Sequence, residues 1–320
     1  MSIQSPTLNV SILSKDASAL AEEIANAWPQ SHALNICQAV TTSEQINPDE
    51  VEVLLADPNL AAEVIDQCTG LKWCQSTWAG NAPLLNLDKS DYILTGVKGV
   101  FGKLMREYVF AYLLQYARNI PAFAHNQNHQ PPIWEESPRA PLTGKTLGIL
   151  GAGSIAQALI PVAKSFEMKV IGLSRSGQAV DGFDDVYAAT DLLKFAQEAD
   201  HVVNLMPDTP ATTGVLNQAF FGALKLHSMF INAGRGSAII EDALLNALDN
   251  GTLQAAVLDV FTQEPLPEEH PFWTHPKVVV TAHTAAVSSP EDVASVFVAN
   301  AKRYIANEAL HYQFDFNKGY

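Results

Sequence analysis

The chain has 320 residues, of which 48% are hydrophobic and 17% charged, enough for about two globular domains with well-filled cores. Its 34 acidic and 19 basic residues give a formal net charge of −15, which opposes binding to nucleic acid or to an anionic membrane. No apolar run reaches the ~18 residues of a membrane-spanning helix, and the N-terminus lacks the basic start and apolar core of a signal peptide. We therefore expect a cytoplasmic protein.

The three cysteines, Cys37, Cys68 and Cys74, have no spacing typical of a metal site. We expect them to be buried free thiols, because a reducing compartment keeps thiols unpaired. No metal site is predicted.

Strand-like and helix-like segments alternate over the first hundred residues. Strands are predicted at 9–13, 34–37, 51–56 and 71–77, the second and third of them buried, and helices at 16–28 and 60–68. Such alternation is typical of a parallel sheet covered by helices. A long helix is then predicted over 102–120, ended by Pro121, and the polar, proline-rich residues 124–142 are expected to form a loop or crossing segment.

A glycine-rich turn follows within residues 145–160. A short apolar strand at 147–150 runs into Gly151, Gly153 and a helix, which is the context of a dinucleotide-binding turn. Gly151 permits the tight turn, and Gly153 lets backbone N–H groups approach a pyrophosphate at the helix N-terminus. Ala156 takes the third position, where a small residue lets helix and strand pack closely.

Further strand–helix units follow this turn. Strands are predicted at 168–174, 201–207, 228–233, 255–261 and 278–283, and helices at 191–200, 220–225, 241–251 and 290–308. Because about 145 residues precede the turn and already form one α/β domain, we expect two such domains. The helix at 102–120 would lead into the second domain and the last helix back to the first.

The residues at the end of the strand predicted at 168–174 indicate which dinucleotide the protein binds. An acidic residue there would bond the ribose 2′-OH of NAD, but the chain has Ser174, Arg175 and Ser176. A guanidinium between two hydroxyls suits a 2′-phosphate, so NADP(H) is favoured over NAD(H). The alternative is a surface turn with an incidental arginine.

Three more strand ends carry polar residues, in the order Arg235, Asp259 with Glu264, and His283. Each is weak by itself, because a Gly-Arg-Gly turn is more often a plain loop, loop acids are usually solvated, and a lone histidine is more often structural. Together they follow a dinucleotide turn, which places arginine, glutamate and histidine around one crevice.

These three residue types fit the reduction of a ketone by a nicotinamide. Charge develops on the carbonyl oxygen, and a protonated histidine can donate to it. A carboxylate beside a histidine favours the protonated ring, and an arginine can hold a substrate carboxylate in a productive orientation.

At this point the chain resembles the D-isomer-specific 2-hydroxyacid dehydrogenases, in particular their glyoxylate/hydroxypyruvate reductase branch. The resemblance runs from residues 76–80 through 99–109 to the Gly319-Tyr320 ending. It implies that Arg235 binds the substrate carboxylate and carbonyl, that His283 is the acid–base, and that Glu264 orients it. The other residues it implies are Trp78, Ala79 and Gly80 for the substrate carboxylate, Ser154 and Ile155 for the pyrophosphate, Met206, Pro207, Thr212 and Ala233 along the cofactor, and Asp259 at the nicotinamide amide, with Arg235 and His283 also counted as cofactor contacts.

The resemblance also implies the fold and assembly. A flavodoxin-like substrate domain, residues 1–100 plus 289–320, would enclose a Rossmann-type cofactor domain, residues 101–288, both of them doubly wound α/β domains. The reaction would be NADPH-dependent reduction of a small 2-ketoacid, of glyoxylate or hydroxypyruvate type, to the D-2-hydroxyacid. A homodimer would form through the cofactor domain, with the helix at 102–120 in the interface.

Three positions depart from the family pattern: Ala156 for the third glycine, Ala282 for the proline before the histidine, and Asn81-Ala82 for Val-Asp. The last bears on substrate scope, and Trp78 either lines a substrate pocket or packs in the core. Two other functions remain open. One is a corepressor-like protein that senses NAD(P) without significant turnover; the other is a dehydrogenase of formate type, which would pair glutamine rather than Glu264 with the histidine.

Overall fold

The computed structural model describes residues 7–29, 33–136 and 140–316, and the chain divides into two compact units. Unit 1 comprises the described residues of Met1–Val100 and Ser288–Tyr320, and unit 2 is Phe101–Val287. The Gly319-Tyr320 ending lies outside the described residues.

The described strands and helices alternate along most of the chain. The strands are β1 (Leu8–Leu13), β2 (Leu34–Val40), β3 (Val53–Ala56), β4 (Trp73–Ser76), β5 (Ile93–Thr95), β6 (Thr146–Leu150), β7 (Lys169–Ser174), β8 (Asp185–Ala188), β9 (His201–Asn204), β10 (Ser228–Asn232), β11 (Leu253–Leu258) and β12 (Val278–Val280). The helices are α1 (Ala17–Ala27), α2 (Pro58–Ala62), α3 (Ala82–Leu85), α4 (Gly102–Ala117), α5 (Ile120–Asn128), α6 (Ser154–Ser165), α7 (Leu192–Glu198), α8 (Gln218–Ala223), α9 (Glu241–Asp249) and α10 (Pro290–Ile305). No helix in this described part of the chain combines the length and the apolarity needed to cross a bilayer.

Unit 1 is built on a parallel five-stranded sheet in the order β2-β1-β3-β4-β5. This is the flavodoxin-like order of a doubly wound fold. The unit is completed from the far end of the sequence, because α10 packs against α1 and Phe297 of α10 stacks on Trp73 of β4 at a centroid distance of 5.2 Å.

Unit 2 contains a parallel seven-stranded sheet in the order β12-β11-β10-β9-β6-β7-β8. The strand that leads into the glycine turn, β6, lies in the middle, with β7 on one side and β9 on the other. This is the Rossmann order with one added strand, and ligands bind such sheets where the strand order reverses. One apolar cluster joins α4 and α6 to the sheet, and a second joins α7, α8 and α9 to it. The predicted α/β class with two doubly wound sheets is therefore confirmed.

The helix predicted at 102–120 is two helices, which corrects the sequence interpretation. The first, α4, ends at Ala117, and Pro121 lies in the first turn of α5 instead of ending a helix. Proline is well tolerated there because its missing N–H has no acceptor in a first turn. Residues 124–128, which were expected in a loop, are therefore helical.

Other differences concern short or exposed strands. Neither β5 nor β8 was predicted, because segments of three and four residues are too short to show a pattern. The strand at 34–37 is not buried: β2 is an edge strand with alternating exposure, so Cys37 is exposed while Cys68 and Cys74 are buried. The helix predicted at 60–68 is the short α2 followed by a 3₁₀ turn, Ile65–Gln67.

Candidate active site

The glycine turn between β6 and α6 has the shape that a dinucleotide requires. Gly151 has φ +98°, and a Cβ there would lie 2.9 Å from the carbonyl oxygen of Leu205. A Cβ on Gly153 would meet nothing within 4 Å, so the space in front of the N-terminus of α6 is open. The first-turn N–H groups of this helix, which include Ser154 and Ile155, have no intrahelical acceptor and can bind a pyrophosphate. The residues present therefore fit the cofactor.

The turn after β7 contains the residues expected to select the cofactor. Ser174 Oγ accepts the N–H of Gly177 at 3.0 Å, and Gly177 takes φ +68°. Arg175 and Ser176 are exposed in this turn. Because β7 is parallel to β6 and adjacent to it, this turn and the glycine turn lie at the same edge of the sheet.

Two buried asparagines, which the sequence interpretation did not single out, build the turns after β9 and β10. Asn204 donates through Nδ2 to Asn232 Oδ1 at 2.8 Å, and its Oδ1 accepts the N–H of Met206 at 3.1 Å. Asn232 in turn donates to the carbonyl oxygen of Arg235 at 3.2 Å. A polar residue directly after an apolar run, at the carboxyl end of each of two adjacent buried strands, is the signal that could have identified them.

The residues predicted along the cofactor follow these strands. Met206 is buried, and the carbonyl oxygen of Pro207 accepts the hydroxyl of Thr212 at 2.7 Å. The N–H of Ala233 donates to Asn204 O at 3.1 Å. Their contact with a dinucleotide remains a prediction.

The loop after β10 packs closely on the loop after β11. A Cβ on Gly236 would lie 2.0 Å from the carbonyl carbon of Phe261, so only glycine allows this approach of the two backbones. Arg235 immediately precedes that contact, and its guanidinium donates to the carbonyl oxygen of Gly234 at 2.6 Å. The strand predicted at 255–261 ends at Leu258, so these residues belong to a loop.

Glu264 and His283 are in direct contact. Glu264 Oε2 lies 2.8 Å from His283 Nδ1, and its Oε1 accepts the N–H of Phe261 at 2.9 Å. The carboxylate is thus tied to the same loop that contacts Gly236. Within the described residues, Nε2 of His283 has no hydrogen-bonding partner, and no group of three or more His, Cys, Asp or Glu could hold a metal ion.

Asp259 fixes the loop that carries His283. Its side chain, 2% exposed, accepts the hydroxyl of Thr281 at 2.5 Å and the N–H groups of Thr284 and Ala285 at 2.8 and 3.0 Å. Its carbonyl oxygen accepts the N–H of His283, whose φ is +55°. The contact with a nicotinamide amide that the resemblance implies therefore remains a prediction, beside this observed structural role.

Tyr108 of α4 extends this hydrogen-bonded chain and was also missed. Its hydroxyl lies 2.8 Å from Thr281 Oγ1. Because the single hydroxyl proton of Thr281 goes to Asp259, Tyr108 must be the donor to Thr281. Burial raises the pKa of Tyr108, so the phenol keeps that proton near neutral pH.

The residues predicted to bind the substrate carboxylate lie in unit 1, after β4. Trp78 is 41% exposed, so the interpretation that it packs in the core is wrong. Its N–H donates to Ser76 Oγ and its carbonyl oxygen accepts the N–H of Val97. The amides of Ala79 and Gly80 donate to no other residue in the described ranges, which leaves two successive N–H groups available to an anion.

Comparison with known proteins decides the family. The sequence model described as D-isomer specific 2-hydroxyacid dehydrogenase, NAD binding domain, matches residues 110–285. The chain belongs to this family. It is accordingly an NAD(P)-dependent 2-hydroxyacid dehydrogenase, and its relatives place it in the glyoxylate/hydroxypyruvate reductase-like branch.

Three similar proteins illustrate this membership. Glyoxylate/hydroxypyruvate reductase A of Serratia proteamaculans is 36% identical over 224 residues, which cover 70% of this chain and 68% of that protein. The structure of a D-isomer specific 2-hydroxyacid dehydrogenase family protein from Aeromonas salmonicida superposes with a TM-score of 0.89 at 39% identity, covering 96% of this chain and 99% of that one. The NADPH-dependent glyoxylate/hydroxypyruvate reductase of Sinorhizobium meliloti, in complex with NADP and sulfate, has a TM-score of 0.85 at 29% identity, covering 98% and 99%.

Proposed function

We propose that this protein reduces a small 2-ketoacid, of glyoxylate or hydroxypyruvate type, to the D-2-hydroxyacid with NADPH. The observation that carries this proposal is the contact of Glu264 with His283 at 2.8 Å, in a loop cluster that also packs against the turn bearing Arg235. The family and the names of the relatives support the same reaction class. They do not favour the alternative of a sensing protein without turnover.

In this mechanism His283 is the acid. Protonated on both nitrogens, the ring donates Nδ1–H to Glu264 and keeps Nε2–H for the carbonyl oxygen of the substrate. Arg235 binds the substrate carboxylate and carbonyl through its planar donor fork. NADPH, when bound, supplies the hydride. The ketone oxygen thus receives its proton from His283 while Arg235 fixes the orientation of the substrate.

The residues of unit 1 contribute substrate binding in this proposal. The free N–H groups of Ala79 and Gly80 are the candidates for a further contact with the substrate carboxylate. Trp78, which is exposed beside them, is the candidate for contact with the substrate side chain.

The preference for NADPH rests on Ser174, Arg175 and Ser176. These residues follow the strand next to β6, where the 2′-position of the adenosine ribose is read in dinucleotide-binding sheets. The Sinorhizobium relative binds NADP, which supports the same assignment. We expect at least about tenfold better use of NADPH than NADH, equivalent to about 1.4 kcal/mol, and a loss of that preference in Arg175→Ala.

Steady-state kinetics test the proposal. Oxidation of NADPH and NADH is measured with glyoxylate, hydroxypyruvate and phenylpyruvate for the wild type, Arg235→Ala and His283→Ala. Each variant is expected to lose ketoacid reduction and to retain NADPH binding, measured by fluorescence titration. Full activity in either variant would refute the assigned roles, and a preference for NADH would refute the interpretation of Arg175.

We also propose a homodimer, formed through unit 2. Large apolar side chains are exposed on and after α5, namely Ile120, Phe123, Ile133 and Trp134, and Trp134 is fully exposed. The N–H of Ile133 donates to the carbonyl oxygen of Asn126, which holds the loop after α5 against that helix, and exposed apolar side chains grouped in this way are typical of an interaction surface. Light scattering of the wild type should give twice the mass of one chain. The double variant with Phe123→Glu and Trp134→Glu should give the mass of a single chain.

The cytoplasmic location remains part of the proposal, supported by three free cysteines.

A further inference from the structure

Unit 1 contains a buried carboxylate that the proposed reaction does not use. Asp57 is 4% exposed and directly follows β3. Its Oδ1 accepts the hydroxyls of Ser14 at 3.0 Å and Thr77 at 2.5 Å, and its Oδ2 accepts the N–H of Lys15 at 3.0 Å. Among the ion pairs of the described residues, none includes Asp57.

This carboxylate ties three strand ends together. Ser14 follows β1, Asp57 follows β3 and Thr77 follows β4, and these strands are adjacent and parallel. The backbone repeats the connection, because Asp57 N–H donates to Leu13 O and Thr77 N–H donates to Ala56 O, both at 2.9 Å. Asp57 therefore cross-links the carboxyl ends of three strands of the sheet. The loop 78–80 begins at this edge.

A contribution to folding stability does not by itself explain why a carboxylate is buried at this position. Removing a carboxylate from water costs several kcal/mol, and well-packed apolar residues in its place are often equally stable. A buried polar network does, however, hold its members in one geometry. What Asp57 holds here is Thr77, the residue before the loop.

Thr77 is anchored by every polar atom it has. Besides its N–H and hydroxyl, its carbonyl oxygen accepts the hydroxyl of Ser288 at 3.1 Å. Two and three residues further on, the N–H groups of Ala79 and Gly80 have no partner among residues 7–29, 33–136 and 140–316. Thr77, whose polar atoms are all hydrogen-bonded, is thus separated by Trp78 alone from the two N–H groups that have no partner.

We propose that Asp57 is a positioning residue for substrate binding, acting through the Thr77 hydroxyl to hold the amides of Ala79 and Gly80 in place for the substrate carboxylate. This inference rests on the proposed function. Its physical basis is that displacement of a binding group by ~1 Å can cost on the order of 100-fold in rate. Asp57 itself touches neither substrate nor cofactor in this scheme.

A matched pair of substitutions tests the inference. Thr77→Val and Ser14→Ala each remove one hydroxyl donor from the same oxygen of Asp57, but only Thr77 adjoins the loop. We expect Thr77→Val to raise KM for the ketoacid at least about tenfold, about 1.4 kcal/mol, with little change in NADPH affinity. Ser14→Ala should change KM less than about threefold. Thr77→Ser, which keeps the hydroxyl, should have the KM of the wild type.

The substitution Asp57→Asn provides a second test of the inference. Its control is Asp66→Asn, because Asp66 is exposed. The amide offers one oxygen for three donors, so KM for the ketoacid should rise in Asp57→Asn and stay unchanged in Asp66→Asn. Urea unfolding of each variant establishes that KM is measured on folded protein; if Asp57→Asn does not fold, the Thr77 and Ser14 pair decides.

The outcomes separate the two hypotheses. If the wild type shows no ketoacid reduction, or Arg235→Ala keeps full activity, the proposed function fails. If the wild type is active and Arg235→Ala is not, but Thr77→Val and Ser14→Ala change KM equally or not at all, the role of Asp57 is overturned.

Discussion

Single residues decide the geometry of this site through close backbone contacts. Gly236 is the clearest case, because its Cα hydrogen takes the space where any other residue would carry a carbon atom. The contact joins the turn of Arg235 to the loop of Glu264, and Glu264 in turn contacts His283. A substitution at one position therefore changes the spacing of all three groups.

Gly236→Ala should separate these loops and impair catalysis. A Cβ at 2.0 Å from Phe261 C cannot be accommodated without a backbone shift, so kcat/KM for the ketoacid should fall by about 100-fold or more. Gly222→Ala is the control, because a Cβ on this glycine in α8 meets nothing within 4 Å. That variant should be fully active and more stable by up to about 1 kcal/mol, measured by urea unfolding. Wild-type activity in Gly236→Ala would contradict the close approach.

Tyr108→Phe should loosen the loop of His283. The change removes the donor to Thr281, whose hydroxyl binds Asp259, and a hydrogen bond of this kind contributes about 1 kcal/mol. We expect kcat for the ketoacid to fall about fivefold with NADPH affinity preserved. Tyr112→Phe is matched, since Tyr112 contacts Tyr108 edge-on and its hydroxyl has no hydrogen-bonding partner in the described part of the chain. Equal kcat values for the two variants would argue against this chain of hydrogen bonds.

At the scale of elements, β9 begins with a buried histidine that takes no part in the proposed reaction. His201 is 4% exposed, both of its ring nitrogens lack hydrogen-bonding partners in the described residues, and the ring of Tyr116 lies edge-on at 5.7 Å. Burial lowers the pKa of His201 to about 4, with Lys145 and Lys225 acting in the same direction and Asp200 opposing them. The neutral ring is therefore the form compatible with the folded sheet.

This histidine should make stability depend on pH below neutrality. The pKa of His201 is lower in the folded than in the unfolded chain, so the unfolded chain binds the proton first as the pH falls. The free energy of unfolding therefore has its full value above pH 6.5. It decreases by up to about 3 kcal/mol as the pH falls from 6.5 to about 4. Urea unfolding at several pH values should show a shallower decrease in His201→Leu than in the wild type or in the exposed control His125→Gln. Parallel pH curves for all three proteins would refute the assignment.

At the scale of the whole molecule, the two units are assembled differently. Unit 2 is one continuous segment that contains the glycine turn, Arg235, Glu264 and His283 with their own apolar clusters. Unit 1 is made from two separate pieces of chain, and α10 supplies part of its core. Damage to α10 should therefore affect unit 1 first.

Phe297→Ala tests this division. Phe297 is fully buried and stacks on Trp73, so its truncation should cost about 3–5 kcal/mol of unit 1 stability. In mild urea the variant should lose ketoacid reduction while NADPH affinity, measured by fluorescence titration, stays within about threefold, because the dinucleotide turn belongs to unit 2. The exposed Leu226→Ala serves as control. Simultaneous loss of both properties would show that the units unfold together.

The sequence by itself determined the class of fold and predicted the chemistry-bearing positions of unit 2. A glycine turn after an apolar strand, and polar residues after later strands, are local patterns, and parallel strands necessarily bring their ends to one edge. Only the tertiary structure decided the contacts between residues distant along the chain: Gly236 against Phe261, Glu264 on His283, Tyr108 on Thr281, and Asp57 across three strand ends. Such contacts depend on the distance between loops after folding, which neither periodicity nor residue type at one position encodes. Short β5 and β8 and the helix start at Pro121 were missed for a related reason, since the packing of neighbouring elements, and not a pattern of their own, stabilises them.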